Sequence, residues 1–218
     1  MDSVIASYPA SDAGALRVCE EHGVAYQRDM RYRSALYDDT YYAKVRGYDP
    51  AVERAVLEGR VRLLLDTLPL NARVVDWGAG SGAFVRTACE AGFRCRGFDV
   101  MPSAAMELRK DDLYTKRVDA STDALTLWDT MEHLELPGFP LCQLRPGAMA
   151  FLSLPLFEKL SDVTVSKHYR PGEHLYYWTR SGLLRWMAEY GFTAVRESDH
   201  EVRAGRQGIG AFAFIRTA

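Results

Sequence analysis

Residues 74–82 read VVDWGAGSG, three glycines at alternate positions behind an aspartate that ends an apolar run. Glycines at that spacing after a strand let a ligand touch the backbone N–H groups of a strand-to-helix turn, at the carboxyl edge of a sheet. Gly78, Ala79, Gly80 and Gly82 are therefore candidate binding residues. Asp76 narrows the ligand, because a carboxylate at the strand end repels a pyrophosphate and attracts an ammonium or sulfonium group. A second acid, Asp99, stands 19 residues beyond Gly80 with Val100 beside it. That is close to the ~20-residue spacing at which a carboxylate accepts hydrogen bonds from ribose hydroxyls. Asp119, followed by Ala120, stands where a short acid reaches the exocyclic amine of adenine, and Asp129 ends the next apolar run. Four acids closing successive strands describe a pocket for a nucleoside with a cationic tail.

Acids can line one edge in this way only if the strands run parallel. RVVDW, RCRGFDV, YTKRVD, ALTLWDT and AMAFLSLPL read as five strands, with helices over GAFVRTACEAGF and SAAMELRKDD between the first three. Alternating strands and helices at this spacing give βαβ units and a mostly parallel sheet. Ahead of them, residues 49–69 carry an N-cap Asp49, Pro50 at the first helical position and Glu53 in the first turn, so a helix is expected to end before Pro69. TRSGLLRWMAEYGF reads as a capped helix closed by Gly191. Two β-rich stretches follow, TAVRESDHEV and GIGAFAFIRTA, and with no helix between them they should pair antiparallel.

The succession is specific enough to resemble a family. VVDWGAGSG, the Asp99 position, Asp119-Ala120, LWDTMEHL and LRPGAMAFLSLP resemble, in order and spacing, the motifs of class I S-adenosylmethionine-dependent methyltransferases. EHLYYWTRSGLLRWMAEYGF is similar to the tail region of their small-molecule branch. The resemblance implies an α/β fold with a Rossmann-like, doubly wound, seven-stranded sheet whose last strand inserts antiparallel. It also implies S-adenosylmethionine as cofactor, held by Asp76, the glycine turn, Asp99, Val100, Asp119, Ala120 and Asp129. A catalytically silent module that binds the same cofactor, and an NAD-dependent oxidoreductase, are the alternatives.

Methyl transfer from a sulfonium is an in-line displacement, and a base is needed only when the acceptor must lose a proton. His133, just past the fourth strand, and His168 and His174, past the fifth, are the candidates for catalysis. Asp129, Glu132 and His133, with His168 or His174, also have the ligand types for a divalent metal. Glu132 and His133 are adjacent and would point apart on a helix, so no metal is expected. The fourth strand lacks the Asn/Asp-Pro-Pro-aromatic ending of nucleobase amino-methyltransferases, and no Pro-Cys pair offers a nucleophile for cytosine. A small-molecule acceptor remains, with oxygen favoured as the acceptor atom.

The chain has 218 residues, 48% hydrophobic, with 27 Lys plus Arg against 29 Asp plus Glu. That is enough for one sizeable core, and it supplies no basic field for a nucleic acid. The start shows neither a charged n-region nor an apolar h-region, no stretch is long enough to span a bilayer, and four cysteines lack CxxC spacing, which together suggest a cytoplasmic protein. Residues 1–48 are expected to form an extension to a methyltransferase domain over 49–218. Within it, residues 26–48 are rich in tyrosine and arginine and are expected to be loop and short helix folded over the cofactor edge as a lid. Tyr41 or Tyr42 would reach the methionine end, and Arg31, Arg33 or Arg46 would meet an anionic acceptor.

Overall fold

The computed structural model describes residues 2–29 and 49–217. The order along the chain is α1 (Ser3–Ala6), β1 (Ser11–Ala13), β2 (Leu16–Cys19), β3 (Val24–Gln27), α2 (Pro50–Leu65), β4 (Arg73–Trp77), α3 (Ala83–Glu90), β5 (Arg94–Phe98) and α4 (Pro102–Lys110). It continues with β6 (Ala124–Trp128), α5 (Gly138–Leu141), β7 (Met149–Phe157), β8 (Tyr176–Thr179), α6 (Arg180–Glu189), β9 (Phe192–Ser198), α7 (His200–Arg203) and β10 (Ile209–Arg216). Met131–His133 and Leu160–Val165 are 3-10 turns. The expected caps are present. Asp49 accepts from the Ala51 N–H at 2.8 Å to start α2, and Thr179 Oγ1 accepts from the Gly182 N–H at 3.0 Å to start α6.

The main sheet has the order β5-β4-β6-β7-β10-β9. Its first four strands are parallel, and β10 enters antiparallel between β7 and β9 as the two terminal β-rich stretches predict. Alternate residues serve opposite faces. Val75, Leu125, Leu127 and Leu152 pack with Trp186 and Met187 of α6. Val74, Ala124, Trp128 and Phe151 pack with Val61 and Leu64 of α2 and with Phe84 and Ala88 of α3. Burial on both faces is why β6 and β7 read as nearly continuous apolar runs. No helix among the described residues is long and apolar enough to cross a membrane.

Three expectations are corrected. YTKRVD is not a strand: a single bridge, Gly97↔Tyr114, is all that joins it to β5, so six strands, not seven, make the main sheet among the described residues. Lys116 and Arg117 are exposed, and Thr115 Oγ1 takes the Arg117 N–H at 3.1 Å, diverting a backbone donor the ladder would need. Residues 199–202 leave the strand pattern for α7, where Glu201 is buried against two arginines. The third correction is at the N-terminus.

Tyr26 and Gln27, expected in loop or short helix, belong to β3, and the extension before them holds β1 and β2. Beyond Pro155, which has no N–H, β7 leaves β10, and Leu156 and Phe157 pair in parallel with Trp178 and Thr179 of β8. To β8 are added β3, β2 and β1, all antiparallel, giving a second leaf and ten strands in total. One face of this leaf, with Val24, Tyr26, Tyr176 and Trp178, joins the larger core. The other, with Leu16, Ala25 and Tyr177, closes a small cluster with Phe157 and Val163. Tyr41, Tyr42, Arg31, Arg33 and Arg46, and with them most of the expected lid, lie outside the described residues.

Candidate active site

The parallel strands bring their carboxyl ends to one cavity of about 910 Å³. At its floor β4 ends in Asp76, 2% exposed, which accepts a 2.6 Å hydrogen bond from Thr126 Oγ1 on the neighbouring β6. Burial pushes its carboxyl up to about 7, against the pull of Thr126 and Arg60. The turn that follows has Gly78 and Gly80 at φ +85 and +53, a left-handed backbone that side chains rarely adopt. A Cβ on Gly78 would also run into Thr130. The next strand holds the turn in place. Gly78 and Ala79 N–H groups donate to Phe98 O at 2.8 and 2.9 Å. Asp99 Oδ2 accepts from the Gly80 N–H and Oδ1 from the Met101 N–H, both at 2.8 Å. Asp76, Gly78, Ala79, Gly80, Asp99 and Val100 all line the cavity, with Trp77 and Phe98 as walls, their rings tilted by 43° and their centroids 4.3 Å apart.

Three expected contacts are not brought there. Gly82 is the left-handed cap of α3 and lies behind the turn. Asp119 and Ala120 do not line the cavity. Because the third strand does not form, Asp119 sits in a loop and folds back on Ser121, whose N–H and hydroxyl it accepts at 2.8 and 2.6 Å. Those bonds hold its carboxyl below the usual range.

Asp129 lines the cavity but is engaged elsewhere. Its φ of +50 turns the chain sharply at the end of β6, and its two oxygens accept from Arg60 at 2.7 Å and Arg206 at 2.8 Å. The same arginines hold Glu201, Arg60 Nε at 2.9 Å and Arg206 Nη1 at 2.5 Å. Burial works against charge here, yet the two guanidiniums outweigh it and hold both carboxyls below their usual range. This closed ring of two cations and two anions joins α2, the end of β6, α7 and the loop before β10. Arg60, Glu201 and Arg206 were not expected from sequence. The available signal was Arg60 itself, which interrupts the buried stripe of Val56, Val61 and Leu64 on α2.

At the far end of the cavity Glu132, His133 and His174 converge, with ligand atoms within 4.8 Å of one another. The expectation that Glu132 and His133 point apart is not met: Glu132 Oε1 and His133 Nε2 lie 4.0 Å apart within the Met131–His133 turn, and His174 arrives from the loop before β8. His133 Nδ1 lies 2.9 Å from Glu173 O. A carbonyl only accepts, so Nδ1 carries the proton and Nε2 keeps its lone pair. The His133 and His174 rings meet edge to face at 4.6 Å. Burial lowers both imidazoles, His174 to about 2, and raises Glu132 to about 8. Burial thus disfavours charge on all three side chains. His168 also lines the cavity, half-buried, with Nε2 3.0 Å from Gln207 O, and burial lowers it too.

No curated protein sequence matches the chain. Among solved structures of similar fold, the complex between the Haloferax volcanii Trm112 methyltransferase activator and the putative methyltransferase matches at 16% identity and TM-score 0.64, covering 86% of this chain and 98% of that one. Burkholderia thailandensis 1,6-didemethyltoxoflavin-N1-methyltransferase, with bound 1,6-didemethyltoxoflavin and S-adenosylhomocysteine, matches at 16% and 0.63, covering 97% and 100%. Magnesium protoporphyrin IX methyltransferase from Synechocystis PCC 6803, with bound SAH, matches at 15% and 0.60, covering 84% and 97%. A family model described as a methyltransferase domain matches residues 48–197. That span takes in β4 to β8 with the glycine turn and the three convergent side chains, and on it the chain belongs to the class I, S-adenosylmethionine-dependent methyltransferase family rather than to the nicotinamide-dependent oxidoreductases.

Proposed function

We propose that the chain binds S-adenosylmethionine at the Asp76 and Asp99 edge and transfers its methyl group to an oxygen of a small molecule. The observation that carries this reading is the continuity of one cavity from Asp76 and the glycine turn to Glu132, His133 and His174. The residues fit the cofactor. Asp76 is a buried acid suited to a cationic group, and the left-handed Gly78 and Gly80 present bare backbone to the cavity. Asp99, at the end of the next strand, lines the cavity where a ribose would lie, its carboxylate fixed by the Gly80 and Met101 N–H groups. Val100 and Met101 offer apolar surface to an adenine ring on that side.

When bound, S-adenosylmethionine supplies an electrophilic methyl on sulfur. The chain's own work is to align the acceptor and exclude water, for which Trp77, Phe98 and Trp128 supply apolar walls. As the new C–O bond forms and the C–S bond breaks, a hydroxyl acceptor loses its proton, and the end of the cavity at Glu132, His133 and His174 is where that proton leaves. Small acceptors are in keeping with the toxoflavin and protoporphyrin named for two structures of similar fold.

Calorimetry with S-adenosylmethionine and S-adenosylhomocysteine tests the reading. Asp99→Ala should weaken binding by ~1–3 kcal/mol, the usual cost of removing a charged hydrogen-bond partner. A wild-type protein that binds neither compound ends the proposal. Tight binding with no turnover over a broad panel of hydroxylated small molecules would leave a binding module in its place.

A further inference from the structure

We infer that Glu132, His133 and His174 bind one divalent transition-metal cation at the acceptor end of the cavity. This assignment rests on the methyltransferase reading only for the neighbourhood of the acceptor; the cation site stands on its own geometry. Ligand atoms of all three residues lie within 4.8 Å of one another. A cation ~2.1 Å from each would hold them about 3.4 Å apart, a contraction that small side-chain rotations supply. Glu132 Oε1 and His133 Nε2 already approach to 4.0 Å.

The hydrogen-bond pattern points the same way. A metal-bound histidine commonly donates its other N–H to a carbonyl or carboxylate, which fixes the ring and its tautomer. His133 has that arrangement through Glu173 O at 2.9 Å. Glu132 Oε2 and His174 Nδ1 are buried without a hydrogen-bond partner among the described residues. Two orphaned polar atoms in one trio are costly unless something is held between them. Their side chains are 3% and 5% exposed and both residues line the cavity.

Two imidazoles and one carboxylate suit zinc, iron, cobalt or manganese better than magnesium or calcium, which favour all-oxygen sites. Asp129 is not a ligand, because Arg60 and Arg206 occupy both its oxygens. With Glu201 these form a set of two positive and two negative charges, and Arg170, whose charge bears on both histidines, is paired with Glu173 at 3.4 Å. Three protein ligands leave further coordination positions, and the cavity is the side on which an acceptor oxygen would take one.

The test uses the full chain, stripped with a chelator, dialysed and titrated with Co²⁺ alone. One equivalent should bind, with visible absorption of a low-symmetry site, and Zn²⁺ should displace it. Glu132→Gln and His174→Ala should each weaken Co²⁺ binding by more than about 100-fold, beyond the ~10–100-fold typical of losing an outer partner. Circular dichroism checks that each variant is folded, and Glu132→Gln keeps the volume of the buried group. No bound Co²⁺, or equal affinity in wild type and both folded variants, overturns the site and leaves a buried water as what bridges the orphans. S-adenosylmethionine binding is measured on the same samples. Its loss with Co²⁺ binding intact would remove the methyltransferase reading, and its retention without Co²⁺ binding would remove the metal site alone.

Discussion

The two ends of the cavity are built over very different distances along the chain. At the proposed cofactor edge, Asp99 reaches the Gly80 N–H across 19 residues, from one strand to its neighbour. At the proposed acceptor end, Arg60 reaches Asp129 across 69 residues and Glu201 across 141, and His133 reaches Glu173 across 40. The first end uses backbone amides and strand ends, which any ligand of the same class would need. The second uses side chains gathered from separate elements, and those can differ while the first stays fixed. Binding and chemistry should therefore be separable by mutation.

The largest effect should come from the ion-pair ring. Arg60→Leu leaves Asp129 and the buried Glu201 short of a partner, and breaking a buried pair costs ~3–5 kcal/mol. Denaturant unfolding of the variant should show that loss. A cost below ~1 kcal/mol would mean that the ring does not hold the acceptor end together, and the contrast between local and distant construction would lose its energetic content.

Next in size is His133→Ala. It should lower kcat by ~10²-fold or more, as expected for a group that acts on the acceptor rather than on the cofactor. S-adenosylmethionine affinity should stay within a few-fold, because His133 stands at the other end of the cavity. A variant that loses cofactor affinity in proportion to kcat would merge the two ends into one.

The smallest effect is a pH dependence confined to the cofactor edge. Burial keeps the Asp76 carboxyl protonated up to about pH 7, so below that pH a cationic ligand must displace a proton to bind. Cofactor affinity should fall by up to ~tenfold between pH 7 and 6 and level off above about 7.5, a direction set by the ligand preferring the ionised acid. Asp76→Asn should bind more weakly at pH 8 and show a flat profile. A wild-type profile with no break near pH 7 would detach Asp76 from the cofactor's charge.

The same contrast decides what could be read from sequence. Asp76, the glycine turn and Asp99 were legible because a strand, a turn and the next strand carry them in order, and each element announces itself by apolar period or glycine. Asp119 was misplaced by the same logic. Its short alternation reads as a strand, but Lys116 and Arg117 are exposed and Thr115 bonds locally, so no edge acid results. The three N-terminal strands are three or four residues long, and β3 finds its partner β8 about 150 residues later, beyond the reach of any periodicity. His133 and His174 could be named as chemically able. That they meet depended on a 3-10 turn and on the path of the loop before β8, neither of which has a strong local signature. Arg60 was visible as a charge on an apolar stripe, and a buried partner could have been inferred from it.

The second leaf has a consequence for how this protein could change. It joins the main sheet by the last two residues of β7 and leaves the order of the other strands untouched. It also grips the segment that delivers His174. The Gln27 N–H donates to Leu175 O at 2.9 Å, Gln27 Nε2 donates to Tyr177 Oη at 2.9 Å, and that hydroxyl donates to His174 O at 3.0 Å. The leaf is thus a graft with a handle on the acceptor pocket. Lineages that shorten, lengthen or restyle the first thirty residues would retune which molecule is methylated while inheriting the nucleoside pocket intact, so the amino-terminal segment and the choice of acceptor should drift together.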